Sequence, residues 1–261
     1  MRYLIIILIG FIVISCQAGH KLDKINKNLK RNTFDNMVLI PQGKAIIGDN
    51  NWFEKGHPER TVNLKAFYID KFEVSNEDYN TCYQAGVCKR AEFYALKEVN
   101  NPKQPVVGVS FEDAKTFCKW MGKRLPTEEE WEKAARGPNG NKYPWGNEKL
   151  TCDKAVYGGV WGKDCIKDNN FKYTQAVDSH EDYKSYYGVY NMVGNVWEWV
   201  DTDYKVVYFN KPKESKVKYK TIKGGSFGSS GKYVITYSRR WERPNQRTIG
   251  TGFRCVKDLD K

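Results

Sequence analysis

The segment IKGGSFGSSGKYVITYSRR, residues 222–240, crowds Gly224, Gly225, Gly228 and Gly231 ahead of Lys232. Such a run could ring a phosphate with backbone N–H groups, but the spacing excludes it. G-x-x-x-x-G-K-[ST] needs a glycine at 226 and a hydroxyl residue at 233, where the chain has Ser226 and Tyr233. G-x-G-x-x-G does not fit either. The plain reading is a strand end and a loop turned by glycines at positive φ. Ser226, Ser229 and Ser230 remain as nucleophile candidates in this loop, yet no histidine lies nearby in sequence to activate them.

Sulfur is the next source of chemistry. Seven cysteines occur, at 16, 82, 88, 118, 152, 165 and 255. Cys16 closes the apolar run Tyr3–Ile14 and follows Ser15, as at a bacterial lipoprotein cleavage site. The alternative is an ordinary secretory signal with an incidental cysteine. Either reading exports the chain, and an even set of cysteines in an oxidising compartment favours disulfides. Proximity suggests Cys82–Cys88 and Cys152–Cys165, leaving Cys118–Cys255, although six cysteines allow many pairings. No C-x-x-C or Cys/His metal spacing is present, and His20, His57 and His180 form no cluster in sequence, which argues against zinc.

The expected organisation is a signal peptide over 1–15, a lipidated N-terminus and polar tether over 16–36, and one domain over 37–261. The formal net charge is +12, with a basic concentration at 210–220. Export makes nucleic acid an unsuitable partner. A basic surface near anionic lipid or acidic glycan, or a merely solvated face, accounts for the charge. The expected location is a bacterial cell envelope, anchored to a membrane through lipid, either periplasmic or surface-exposed, with an unidentified protein or glycan partner.

The elements that must position these residues announce themselves by caps. Ser75 with Asp78, Ser110 with Asp113 and Thr127 with Glu130 each open a helix, and Gly86, Gly122 and Gly137 end them. Pro126 keeps Leu125 extended. Strand-like stretches are 38–41, 44–48, 62–70, TIKGG at 221–225, YVITYS at 233–238 and GFRCV at 252–256. Residues 137–190 are rich in Gly, Asn, Asp and Tyr without periodicity. A stretch that long is usually functional or locked by ligands and disulfides. The expected class is α+β with low regular content, no internal repeat and no second domain.

Seven stretches occur in this order: MVLIPQGKAIIG, FYIDKFEVSNEDYNTC, PVVGVSFEDAKTFCKWMGKRLPTEEEWEKAARG, YPWGN, GVYNMVGNVWEWV, KGGSFG and GFRC. Together they resemble the formylglycine-generating enzyme family, the sulfatase-modifying-factor domain, from about Met37 to Lys257. The resemblance implies an irregular, C-type-lectin-like fold and a Cys118–Cys255 disulfide. In the oxidases of that family, GGSF leads into a loop with two cysteines five residues apart. Their thiolates bind Cu(I), and the enzyme oxidises a cysteine in C-x-P-x-R to formylglycine. Here Ser229 and Val234 fall on those two positions, and 166–254 contains no cysteine. Cu(I) selects soft thiolate, which neither residue supplies. The iron-dependent sulfur-transfer branch uses a histidine cluster from an added helical domain, and this chain has neither.

The resemblance also implies a calcium loop in YNMVGNVWEW. Asn191 and Glu198 would give side-chain oxygens and Gly194 and Val196 backbone carbonyls, a set suited to a hard cation. A competing reading pairs Glu198 with a buried arginine, and Trp197 and Trp199 are assigned to packing. The family's second calcium site is undermined by Val156, which has no ligating side chain. The best-fitting function is a non-catalytic lipoprotein acting in binding or assembly. The alternatives are a formylglycine-generating oxidase or another enzyme in the same cleft.

Overall fold

The computed structural model describes residues 34, 36–50, 57–158, 165, 173–205, 207–208, 211–212 and 218–259. The expected signal peptide, Cys16 and nearly all of the tether lie outside these. Among the described residues no helix is long and apolar enough to cross a membrane. Residues Met37–Lys261 form one compact unit.

Three α-helices follow the three caps. They are α1 (Asn76–Gln84), α2 (Phe111–Trp120) and α3 (Glu128–Arg136). Ser75 accepts from the Asp78 N–H, while Ser110/Asp113 and Thr127/Glu130 bond reciprocally, so orphan donors of the first turns are satisfied. Gly137 ends α3 at φ 66°, a conformation strained for other residues. α2 buries Phe111, Ala114, Phe117 and Cys118 on one side. α3 buries charged residues as well as Trp131, Ala134 and Ala135, because it is packed on several sides.

The strands are β1 (Met37–Ile40), β2 (Gly43–Ile47), β3 (Arg60–Leu64), β4 (Phe67–Asp70), β5 (Trp197–Asp203), β6 (Val207–Tyr208), β7 (Lys211–Pro212), β8 (Lys220–Lys223), β9 (Arg239–Glu242), β10 (Thr251–Gly252) and β11 (Val256–Asp258). They form an antiparallel sheet β1-β4-β11, a mixed sheet β10-β5-β8-β9 with β10 parallel to β5, and the pairs β2-β3 and β6-β7. The class is therefore α+β.

Three strand expectations change. Residues 62–70 divide between β3 and β4, which pair with different partners, β2 and β1. YVITYS is not a strand: a 3-10 turn at Gly231–Tyr233 precedes it and the strand starts at Arg239, where backbone pairing with β8 begins. GFRCV is interrupted at Phe253–Cys255, because Arg254 and Cys255 turn inward to bond Glu198 and Cys118. β5 was not expected at all. It lies in WEWVD, where the charged Glu198 is buried along with Trp197, Trp199 and Val200, so charge did not mark an outward face.

Two apolar clusters flank β5. One joins Phe111, Phe117, Trp199, Phe253 and the Cys118–Cys255 bridge, and the other joins Ile40, Phe67, Ile69, Trp131, Val200 and Val256. The disulfides are Cys82–Cys88, Cys118–Cys255 and Cys152–Cys165. Those are the pairs that proximity and the resemblance pointed to.

Candidate functional site

β8 delivers the chain into the glycine-rich loop. Gly224 and Gly225 adopt φ 94° and 82°. A Cβ at Gly225 would stand 2.9 Å from the Tyr233 carbonyl oxygen, so the loop folds back on itself only with glycine there. Beyond the glycines the backbone is pinned from outside. Phe227 N donates to Asn195 O at 2.8 Å, and Gly158 N donates to Ser229 O at 2.9 Å.

The loop's side chains are quiet. Ser226 N donates to Ser229 Oγ at 3.0 Å, and the two hydroxyls are 3.3 Å apart. Among the described residues no imidazole or carboxylate bonds either hydroxyl, so neither serine has a base to activate it. Val234 is fully buried and packs with Tyr143, Leu150, Tyr157 and Ile235. The pair Ser229 and Val234 thus offers one neutral hydroxyl and one hydrocarbon, a donor set that does not fit Cu(I). The six described cysteines are all consumed in disulfides, and Cys16 lies outside the described residues.

The turn Asn191–Glu198 sits behind the loop. Asn191 and Asn195 take φ 50° and 58°, which the short amide side chain tolerates. Both Asn191 Nδ2 and Asn195 Nδ2 donate to Glu73, at 3.0 and 2.9 Å, and Asn191 Nδ2 also donates to Val177 O. Glu198 is buried and accepts a fork from Arg254, with Nη2 to Oε1 at 2.7 Å and Nε to Oε2 at 2.8 Å. Trp131 Nε1 adds a third donor at 2.8 Å. Of the side chains assigned to calcium, Asn191 therefore turns its nitrogen to Glu73, leaving its oxygen for a cation. Glu198 already shares its charge with Arg254. A cation on this turn would rest on Asn191 Oδ1 and the carbonyls of Gly194 and Val196, with only the remaining lone pairs of Glu198. Trp199 is core, and its Nε1 is bonded to Val109 O.

Glu73, which no sequence signal marked, is the unusual carboxylate here. Burial raises its pKa to about 8 against the pull of Arg254, and the nearby Glu198 pushes the same way as burial. Val156 meets Gly194 through its backbone: a Cβ at Gly194 would lie 2.5 Å from Val156 O. Val156 accordingly serves the turn by its carbonyl, which accepts from Asn195 N.

A second buried charge cluster joins α3 to β8 and β9. His57, Glu128 and Glu132 bring ligand atoms within 4.8 Å of one another, so His57 does have clustered partners that its sequence neighbourhood concealed. Lys223 Nζ fills the same space, 2.8 Å from Glu132 and 3.6 Å from Glu128. Arg239 Nε lies 2.9 Å from Glu128 Oε1 but without hydrogen-bond alignment. Arg136 reaches Glu132 at 3.2 Å. Burial alone would raise the Glu132 pKa, but Lys223 and His57 outweigh it and hold the group well below the usual carboxylate range. The protein's own cations occupy this cluster, which reads as an ion-pair brace.

Residues 23–259 match the Sulfatase-modifying factor enzyme 1-like domain. The mouse formylglycine-generating enzyme is 31% identical over 85% of this chain and 75% of its own length. The bovine protein named inactive C-alpha-formylglycine-generating enzyme 2 is 35% identical over 85% and 87%. YfmG of Bacillus subtilis, named uncharacterized, is 31% identical over 86% of this chain, which spans only 55% of that protein. Among solved structures, PvdO from Pseudomonas aeruginosa superposes with a TM-score of 0.68 at 23% identity, covering 85% of this chain and 94% of that one. Treponema denticola variable protein 1 gives 0.69 at 22%, covering 85% and 94%. These likenesses establish the irregular, C-type-lectin-like α+β fold. With the loop, the disulfide frame and the domain match in place, this chain belongs to the sulfatase-modifying-factor family, which holds both formylglycine-generating enzymes and relatives named inactive.

Proposed function

We propose that this protein is a non-catalytic member of its family, a lipid-anchored envelope protein that uses the domain for binding or assembly. The observation that carries the reading is the loop itself. Among the described residues Ser229 bonds only to Ser226 and the backbone, Val234 is buried in hydrocarbon, and every described cysteine is in a disulfide. A Cu(I) centre needs two thiolates, and a serine hydrolase needs a base. Among the described residues neither is supplied. The bovine relative named inactive supports the idea that the family domain persists without the reaction. Anchoring through Cys16 is supported by the apolar run ending at Ser15-Cys16. Calcium on the Asn191–Val196 turn is part of the proposal as a structural ion.

The purified protein, incubated with Cu(I), dioxygen and a C-x-P-x-R peptide, is expected to leave the peptide mass unchanged. Conversion of cysteine to formylglycine in that peptide overturns the non-catalytic reading. For the anchor, Cys16→Ala is expected to release the protein from membranes washed in high salt, which removes electrostatic adhesion of the basic chain. Retention after that wash refutes lipidation.

A further inference from the structure

We infer a binding site for a carboxylate-bearing sugar on the face formed by α1 and the following loop, separate from the Ser226–Val234 loop. A cavity of about 390 Å³ opens there, and none of its lining residues belongs to that loop. Its size falls within the range of small-ligand sites. Arg90 lines it, with its guanidinium 5.1 Å from the Tyr83 ring centroid and 4.1 Å from that of Tyr94.

Arg90 is exposed, but the backbone that carries it is anchored. Its backbone carbonyl accepts from Arg247 Nη1 at 3.2 Å, and the preceding carbonyl, Lys89 O, accepts from the buried Tyr79 hydroxyl at 2.9 Å. The Cys82–Cys88 bridge ties the end of α1, which carries Tyr83, to the loop that carries Arg90. Both rings lie within cation–π range of the guanidinium. Yet among the described residues its N–H groups have no hydrogen-bond or ion-pair partner. A guanidinium with its donor edge unused among the described residues is suited to donate a fork of hydrogen bonds to a carboxylate.

The rest of the lining decides the ligand class. Asn80 and Gln84 project from α1 with amides that bond to no described residue, and each can both donate and accept, as sugar hydroxyls require. Glu77 supplies an anion beside them, which disfavours a densely charged polyanion and suits one carboxylate among neutral hydroxyls. By contrast, the Asn76 amide is spent on the carbonyls of Val99, Asn101 and Gln104, so it holds the cavity wall and is unavailable to ligand. The formal net charge of +12 draws an acidic glycan to the surface at long range. The inference does not depend on whether the Ser226–Val234 loop is catalytic.

The test is calorimetric titration of the full chain in detergent with methyl galacturonoside, a single sugar bearing one carboxylate, at physiological ionic strength. Its methyl ester serves as the neutral sugar control and acetate as the carboxylate without sugar. The galacturonoside is expected to bind at least tenfold more tightly than either control. Arg90→Ala is expected to weaken it at least tenfold. Arg90→Lys is expected to recover only part of the loss, because an ammonium keeps the charge without the fork. Gln84→Ala is expected to weaken it by a smaller factor. No binding by the unmodified chain, equal binding of the methyl ester, equal binding of acetate, or an unaffected Arg90→Ala variant each overturns the proposal. Arg90 is exposed, so an unfolded variant is not anticipated, and circular dichroism of each variant checks this.

Discussion

Lys223 and Ser229 stand six positions apart on one stretch of backbone and belong to opposite regimes. Lys223 is fully buried, with its ammonium 2.8 Å from an equally buried Glu132. Ser229 is half-buried and bonds a neighbouring serine. Behind the loop, then, the molecule keeps pairs of desolvated charges, and at Ser229 it keeps neutral hydroxyl contacts. Removing one partner of a buried ion pair strands the other, whereas removing a neutral hydroxyl with solvent nearby strands little. The frame that positions the family's reactive loop is therefore costly to change, while Ser229, one of the two positions where the family's chemistry would sit, is cheap to change. A family member can lose the reaction and keep the fold for this reason.

The sharpest way to break the comparison is to remove a charge from the frame. Lys223→Met should destabilise the domain by about 3–5 kcal/mol, since Glu132 is left buried beside the weaker compensation of Arg136 and His57. The urea midpoint would report it. Glu198→Gln should fall in the same range by stranding Arg254, and a loss below about 1 kcal/mol in both would dissolve the distinction between frame and loop.

Next comes the covalent tie. Replacing Cys118 and Cys255 together by serine opens a bridge with a sequence separation of 137. The expected loss is about 2–5 kcal/mol, and thermal unfolding under non-reducing conditions measures it.

Glu73 gives the frame a pH signature. Its folded pKa is raised to about 8 from a reference of 4.5. Between those values the folded state holds a proton that the unfolded chain has lost. Its contribution is thus fully present below about 4.5 and is lost as pH rises through about 8. With chelator present, stability should fall over this window by an amount on the order of a few kcal/mol, and Glu73→Gln should flatten the dependence. A wild-type profile already flat across the window would mean Glu73 ionises freely in the fold.

Calcium addresses the turn between frame and loop. A cation bound to the native state raises the melting temperature, equivalent to about 2.7 kcal/mol at a hundredfold excess over Kd. Calcium is expected to raise it for the unmodified domain and not for Asn191→Ala. Identical melting curves in calcium and in chelator would leave Arg254 as the sole cation serving Glu198.

The smallest effects belong to the loop tip. Ser229→Ala should change stability by no more than about 1 kcal/mol. The double variant Ser229→Cys with Val234→Cys should gain Cu(I) binding, read by a competitive copper chelator, without full peptide oxidation. Catalytic geometry must be held within about half an ångström by its supporting shell, and two substitutions supply ligands without rebuilding that shell. Full turnover by the double variant would show that the shell survived intact.

Some of this was legible in the sequence because it is local or compositional. A cap and its partner lie three residues apart, so Ser110/Asp113 and Thr127/Glu130 placed α2 and α3 correctly. Ser229 and Val234 were informative by identity alone, since no fold can make a thiolate from them. The short loops Cys82–Cys88 and Cys152–Cys165 needed only proximity, and the quoted motifs carried the family resemblance. What tertiary structure decided is the long-range polar pairing. Glu198 meets Arg254 across 56 positions, Lys223 meets Glu132 across 91, and His57 meets Glu132 across 75. Glu73 meets Asn191 across 118. Helix and strand periodicities extend over a few residues and record only which side chains share a face. They contain no signal for which buried charge will neutralise which, because that choice is made by desolvation after the elements have packed.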